Sequence, residues 1–345
     1  MIVGAYVRRA APDHPAGAEW AMHDLLAALA DRGHTVQLVA EKGHTRSRSI
    51  DGVGVYSQAT PEEVVAHFID CDVMLTQLEA IAAAMVLASA YSTPLVHLIH
   101  SPSQVEDFGV LPGAAALVAF NTHDAAGANE WWPGDRLVLH PVVRAERYVV
   151  EPKGQMATLV GLSHEKGAMR LVRLAEALPG RHFLGVNNAY GDQAITVAGI
   201  PGHGDNPAPA GLPPNLGIGG VTTDMRGIYA ATRVLLMLGA SETYGRVADE
   251  AMLSGIPVIA FPTPGIVECC GSAARYAEPH QPKALEALTL LAWTPAWDEW
   301  SAAARARAAA NRDRSRGEVE EFEHTLQRIV NDPPEMTMTL EPHHA

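Results

Sequence analysis

The chain has 345 residues, 48% of them hydrophobic, and a formal net charge of -14 at pH 7. That length is enough for two domains with sizeable cores, and the acidic balance disfavours a dominant polyphosphate partner or an anionic membrane surface. The three cysteines include the vicinal pair Cys269-Cys270, which suits neither a disulfide framework nor C-x-x-C chemistry, so a reducing, cytoplasmic setting is expected.

Residues 1–7 read as a strand followed by Arg8-Arg9, not as a secretory leader. A helix is expected over 18–31, ended by Gly33 and His34, then a strand over 36–40. Arg46-Ser47-Arg48 is the one obvious basic cluster and reads as a solvated loop. Strands follow at 52–56, 73–76, 94–100, 115–120 and 137–140, with helices beginning at 61, 79 and 122. The apolar stretch 81–90 is too short to span a bilayer, so no stable membrane insertion is expected. Alternating strands and helices at this spacing mean a doubly wound α/β sheet.

Two places in this half attract chemistry. Gly17, between the first strand and its helix, permits close backbone approach at a helix N-terminus, where an anion is favoured; a plain tight turn explains it equally. His97 and His100 stand three apart on one strand and point to opposite faces, a poor metal pair. His97 reads as a core or surface histidine. His100, at the carboxyl end of its strand, is a site candidate.

The second half opens with a strand at 157–160, the loop Gly161-Leu162-Ser163-His164-Glu165-Lys166-Gly167 and a helix over 169–178. Lys166 near that helix start could neutralise a phosphate or stand in solvent. After a strand at 182–186, Asn187-Asn188 reads as a turn more than a ligand contact, and 191–214 is a Gly/Pro-rich stretch that is partly loop. Helices are expected over 283–292 and 298–329, then a disordered tail over 332–345.

The stretch Ser241 to Pro257 organises the rest. It lies between the apolar runs 234–238 and 258–261; Gly245 opens its short helix, and Gly255 followed by Pro257 closes it. Strand, loop, helix, strand is a βαβ unit with parallel strands. Glu242 then sits at the carboxyl end of a strand, where open α/β sheets bind ligands, and the amides of Thr243, Tyr244, Gly245 and Arg246 make an anion site. Glu250 is either a helix-surface acid paired with Arg246 four residues back or a ligand contact.

In this stretch Glu242, Gly245, Glu250, Ala251, Met252, Gly255, Pro257 and Val258 fall in register with E-G-F-G-x-x-x-x-E-A-M-x-x-G-x-P-V. That lettering is the E-x7-E motif of the retaining GT-B glycosyltransferases of family 4, which the chain resembles. Four further stretches resemble the same family in order. They are Ala16-Gly17-Ala18-Glu19 with 25–36 (G-G-A-E…L-A-x-R-G-H-x-V), 139–148 (the interdomain hinge), 216–229 (the stretch bordering the base) and 261–268 (the G-x-x-E loop under the sugar). The loop at Gly161 departs from the family's G-R-L-x-x-E-K-G: no arginine stands between Gly161 and Leu162.

The resemblance implies a GT-B architecture, two Rossmann-like domains facing a cleft: residues 1–148 for the acceptor, 149–316 for the nucleotide sugar, and a helix at 317–331 packing back on the first. It implies a retaining, metal-independent transfer from a nucleotide-diphosphate sugar, UDP- or GDP-linked, by front-face attack, with no other cofactor. Gly17, Lys166 and the amides of 243–246 would hold the diphosphate, with the Arg246 side chain replacing the missing arginine. Glu250 would hydrogen-bond the ribose diol, Glu242 the sugar hydroxyls, and His100 would orient the sugar, with backbone at Val221 bordering the base. The acceptor is open among a small molecule, a glycan, a protein and a modified nucleic-acid base. Two rival readings are a sugar-nucleotide 2-epimerase and a non-catalytic nucleotide-sugar binder.

Overall fold

The computed structural model describes residues 1–108, 115–195 and 211–334. Most of the Gly/Pro-rich stretch, and the expected tail from residue 335 on, lie outside the described residues. The chain divides into two compact units, one made of Met1–His14, Ala18–Val142 and the segment from Ser315 on, the other of Pro15–Gly17 and Val143–Arg314.

The first unit holds eight strands: β1 (Ile2–Arg9), β2 (Thr35–Lys42), β3 (Ser47–Ile50), β4 (Val53–Ser57), β5 (Val73–Gln77), β6 (Leu95–Ile99), β7 (Leu117–Phe120) and β8 (Arg136–Val138). Their order in the sheet is β3-β4-β2-β1-β5-β6-β7-β8. Every pairing is parallel except β3 with β4. The basic stretch expected as a solvated loop is therefore largely an edge strand, and Arg48 forms an ion pair with Asp13. A polar tetrapeptide carries no apolar alternation to announce it, and its ladder to β4 comes from the sheet.

One face of this sheet is covered by the helix Gly17–Asp31, whose Met22, Leu25, Leu26 and Leu29 recur at helical spacing and are buried. The same core takes Val319, Phe322, Leu326 and Ile329 from the last helix, Ala296–Asn331. Polar partners fix that helix end: His140 Nδ1 lies 2.7 Å from Glu318 Oε1, and Glu323 meets His34 Nε2 at 2.9 Å and also Arg32. The opposite face packs Phe68, Ile81, Ala84, Ala88 and Phe120.

The second unit holds β9 (Met156–Val160), β10 (His182–Val186), β11 (Leu216–Gly219), β12 (Thr232–Met237), β13 (Val258–Ala260) and β14 (Arg275–Tyr276). All are parallel, in the order β11-β10-β9-β12-β13-β14. One face is covered by the helices Ala168–Ala177 and Pro282–Leu291 with Trp300 from the start of the last helix, the other by Arg246–Leu253, Pro264–Cys270 and the next turns of that helix at Ala304 and Ala308. The chain runs from β9 outward to β11, then returns to lay β12 on the other side of β9. The connections after β9 and β12 therefore lead off to opposite sides of the sheet, and such a switch point is where an open parallel sheet forms a ligand crevice. Among the described residues no helix is long and apolar enough to cross a membrane.

Candidate active site

The loops after β9 and β12 approach each other through glycines. A side chain at Gly167, which has φ +93°, would meet the Leu238 carbonyl oxygen at 2.7 Å, and one at Gly239 would meet Glu165 O at 3.1 Å. This closeness brings Lys166 Nζ to 2.6 Å from Glu242 Oε2, joining the two loops by a largely buried ion pair. Burial pushes the Lys166 ammonium toward losing its proton, but the Glu242 carboxylate and the neighbouring Tyr190 outweigh it and hold its pKa above the ordinary lysine value. The ammonium is thus a fixed cation at the switch point.

The segment from Glu242 to Gly245 is held from behind. Thr263 Oγ1 donates to the Glu242 carbonyl at 3.0 Å, and Gly265 lies so close that a Cβ there would stand 1.4 Å from Thr243 O. Gly245 caps the helix Arg246–Leu253 with φ +87°, against Ile266. Tyr244 is 2% exposed; its hydroxyl lies 3.2 Å from Asp249 Oδ2 and accepts from Arg314 at 3.0 Å. Asn311 donates to the other oxygen of Asp249 at 2.8 Å. Tyr244 is therefore an anchor turned inward, leaving only its backbone for a ligand.

Arg246 and Glu250 do pair at i,i+4, at 2.9 Å, but inside the unit and not on a helix surface: their side chains are 7% and 6% exposed. Arg246 also donates to the Tyr148 hydroxyl at 3.0 Å, and Tyr229 donates to the second Glu250 oxygen at 2.6 Å. Burial, then the Glu250 charge, raises the Tyr229 pKa well above its ordinary value, so this phenol stays a donor. The guanidinium that sequence reasoning offered as a replacement diphosphate cation is committed to holding Glu250.

Val221 lies in the half-buried loop after β11, next to the strand end where Asn187 N donates to Gly219 O at 3.0 Å. Asn187 is 2% exposed, and its carboxamide has no hydrogen-bond partner among the described residues. Gly17 opens the helix that covers the first sheet, with nothing within 4 Å of where a Cβ would stand. In the first unit, His100 Nε2 lies 2.8 Å from Gln77 Oε1, its amide donates to Gln104 Oε1 at 2.7 Å, and its carbonyl accepts from Asn121 at 2.9 Å. Burial lowers its pKa to about 4, so the ring is neutral near pH 7. Facing a carbonyl oxygen, Nε2 carries the proton and Nδ1 is left as an acceptor. His97 is fully buried with both ring nitrogens unpartnered among the described residues, and burial lowers it to about 3: a neutral core histidine.

Sequence reasoning found Lys166, Glu242 and Glu250, and the structure brings Lys166 and Glu242 together. It missed the Tyr229 and Tyr148 hydroxyls that fix Glu250 and Arg246. Nothing local marks a tyrosine twenty or a hundred residues away as the partner of a given acid.

Residues 192–292 match the family model described as glycosyl transferases group 1. No curated protein matches the chain significantly. Among solved structures, HepE from Anabaena in complex with UDP-glucose superposes with a TM-score of 0.74 at 18% identity, over 94% of this chain and 99% of that one. Sucrose-phosphate synthase from Thermosynechococcus elongatus gives 0.73 at 16%, over 96% and 100%. A glycosyltransferase from Rickettsia africae gives 0.66 at 14%, over 96% and 99%. The chain has the GT-B fold, and its segment 192–292, which carries both glutamates of the E-x7-E motif, is similar to the glycosyl transferases group 1 family.

Proposed function

We propose that the protein is a retaining glycosyltransferase that takes a sugar from a nucleotide-diphosphate donor without a metal. The observation that carries this reading is the Lys166–Glu242 pair, 2.6 Å apart at the switch point, with Glu242 and Glu250 in E-x7-E register. A diphosphate placed there meets the Lys166 ammonium and the amides of Thr243 to Arg246, charge compensation that a metal would otherwise supply. Glu242, released from Lys166 by the phosphate, accepts hydrogen bonds from sugar hydroxyls. Glu250, fixed in place by Arg246 and Tyr229, is the carboxylate for a ribose diol, as the E-x7-E resemblance implies. His100 offers Nδ1 to a sugar hydroxyl.

In the reaction the bond between the anomeric carbon and the phosphate oxygen breaks with its electron pair on the phosphate. The acceptor hydroxyl attacks the same face, and its proton passes to the leaving phosphate. Lys166 stabilises the charge that develops there. The complex of HepE with UDP-glucose supports a UDP-sugar as the first donor to test, with GDP-sugars next. A second reading, a binder without transfer, is favoured by one observation: Arg246 is committed to Glu250 and Tyr148, so the leaving group is served by fewer cations.

Thermal unfolding with UDP-, GDP-, ADP- and dTDP-sugars, with and without EDTA, tests the donor; hydrolysis of the stabilising donor, followed by release of its nucleoside diphosphate, tests transfer chemistry. A shift insensitive to EDTA and absent in Lys166→Ala supports the reading. A shift without any turnover favours the binder, and loss of the shift in EDTA removes the metal-free mechanism.

A further inference from the structure

We propose that the Lys166–Glu242 ion pair makes this site tell a sugar-bearing donor from the spent nucleoside diphosphate, by opposing whichever nucleotide brings no sugar. The inference rests on the nucleotide-diphosphate reading above. The two glutamates of the motif are held in different ways. Glu250 has Arg246 Nε at 2.9 Å and the Tyr229 hydroxyl at 2.6 Å, and neither group is one that the diphosphate takes. Its carboxylate stays paired with or without a ligand. Glu242 has Lys166 Nζ at 2.6 Å, and among the described residues no other group donates to its carboxylate. That same ammonium is the cation offered to the phosphate.

One ammonium thus serves two anions. The backbone gives neither partner room to withdraw. The loops that carry them touch at Gly167 and Gly239, and Thr263 Oγ1 holds the Glu242 carbonyl at 3.0 Å. The two side chains are only 23% and 12% exposed, so water replaces a lost partner in part. A bare nucleoside diphosphate that draws Lys166 onto its phosphate leaves the Glu242 carboxylate short of its donor and close to a second anion. A donor that still carries its sugar brings hydroxyls to that carboxylate and makes the loss good with charge-assisted hydrogen bonds. The spent nucleoside diphosphate makes no such return. It is held more weakly than its phosphate contacts alone would hold it, and the ion pair closes again as it leaves.

The competition has a signature that a merely structural ion pair lacks. Glu242→Gln keeps the shape of the side chain and removes its charge, so Lys166 is left to the phosphate. Removing a carboxylate from the site should therefore tighten the bare diphosphate, and only while Lys166 is present.

The test is calorimetric titration of UDP, UDP-glucose, GDP and GDP-mannose into wild type, Glu242→Gln, Lys166→Ala and the double variant. The expected result is that the diphosphate bound by wild type binds about tenfold more tightly to Glu242→Gln, while the preference for its sugar-bearing form shrinks by at least as much. In the Lys166→Ala background the same substitution should leave diphosphate affinity within about twofold. Both side chains reach solvent, so Glu242→Gln should melt with the wild type; Glu242→Ala gives the same reading if it does not. Diphosphate binding that is unchanged or weaker without the carboxylate, or a gain that persists without Lys166, overturns the proposal and leaves the donor reading in place. A wild type that binds none of the four overturns the donor reading itself, and this proposal with it.

Discussion

The two sheets treat ionisable groups around their switch points in opposite ways. In the second unit buried charges are kept and paired: Lys166 with Glu242 at 2.6 Å, Arg246 with Glu250 at 2.9 Å. In the first unit, whose sheet reverses between β1 and β5, Asp13 stays charged beside Arg48, but Glu19, His97 and His100 are pushed toward neutrality. Burial lifts the Glu19 carboxyl to about 7 and lowers His97 to about 3 and His100 to about 4. One ion pair at that reversal, Arg8 with Glu79, is loose at 3.5 Å and about 40% exposed on each side. One topology thus gives two surfaces. Fixed paired charge suits a polyanion whose charge grows during reaction, whereas neutral donors and acceptors suit a ligand recognised by its hydroxyls.

The largest expected effect comes from pressing on the backbone behind the paired charges. Gly265→Ala places a methyl where the Thr243 carbonyl stands, so the 242–245 segment must move or the unit must unfold. A loss of about 3 kcal/mol or more in denaturant unfolding and loss of nucleotide binding are expected. Gly217→Ala, whose nearest contact is 3.8 Å, is the control and should cost less than about 1 kcal/mol. A Gly265→Ala protein that melts and binds like wild type would break the close-approach argument.

Next is Glu250→Ala, which strands Arg246 in the interior and should cost about 3 to 5 kcal/mol by the same measurement. Tyr229→Phe removes one neutral-to-charged hydrogen bond and should cost roughly 2 kcal/mol. If Glu250→Ala cost no more than Tyr229→Phe, the pair would be weaker than its burial demands. Lys166→Ala, partly exposed at the site, should leave the melting temperature within a few degrees and weaken nucleoside diphosphate binding about tenfold or more in calorimetry.

The first unit answers to acid. His97 binds its proton near 6.5 when unfolded and only at about 3 when folded. Its contribution to stability is complete above pH 6.5 and falls away as the pH drops from there toward 3, at up to about 1.4 kcal/mol per pH unit. His97→Leu should flatten unfolding free energy against pH in that window by about one proton. An unchanged slope would mean that the buried ring is not held neutral. Smallest of all, Arg8→Ala should change stability by less than about 1 kcal/mol, and a larger loss would contradict the contrast between the two reversals.

Much of this was readable in the residues. Alternating strands and helices announced doubly wound sheets, and the spacing of Glu242, Gly245, Glu250, Gly255 and Pro257 marked a loop and short helix after the carboxyl end of a strand; that this loop stands at the switch point follows from the strand order. The i,i+4 relation of Arg246 and Glu250 was visible too, but not its burial, because burial depends on Tyr148 and Tyr229 arriving from other elements. The strand Ser47–Ile50 was hidden because its ladder is set by a neighbour and not by its own alternation. Gly265 could be seen as a glycine; that the Thr243 carbonyl fills its missing side chain is a property of packing.

The last helix has a consequence for how the protein is made. Its early turns supply Ala304 and Ala308 to the second unit's core, and its final turns supply Val319, Phe322, Leu326 and Ile329 to the first. During synthesis the second unit has all its strands and helices once residue 314 has emerged, while the first, begun earlier, still lacks one wall of its core. The unit translated first is therefore the one finished last, and until then it carries an uncovered apolar face that chaperones would recognise.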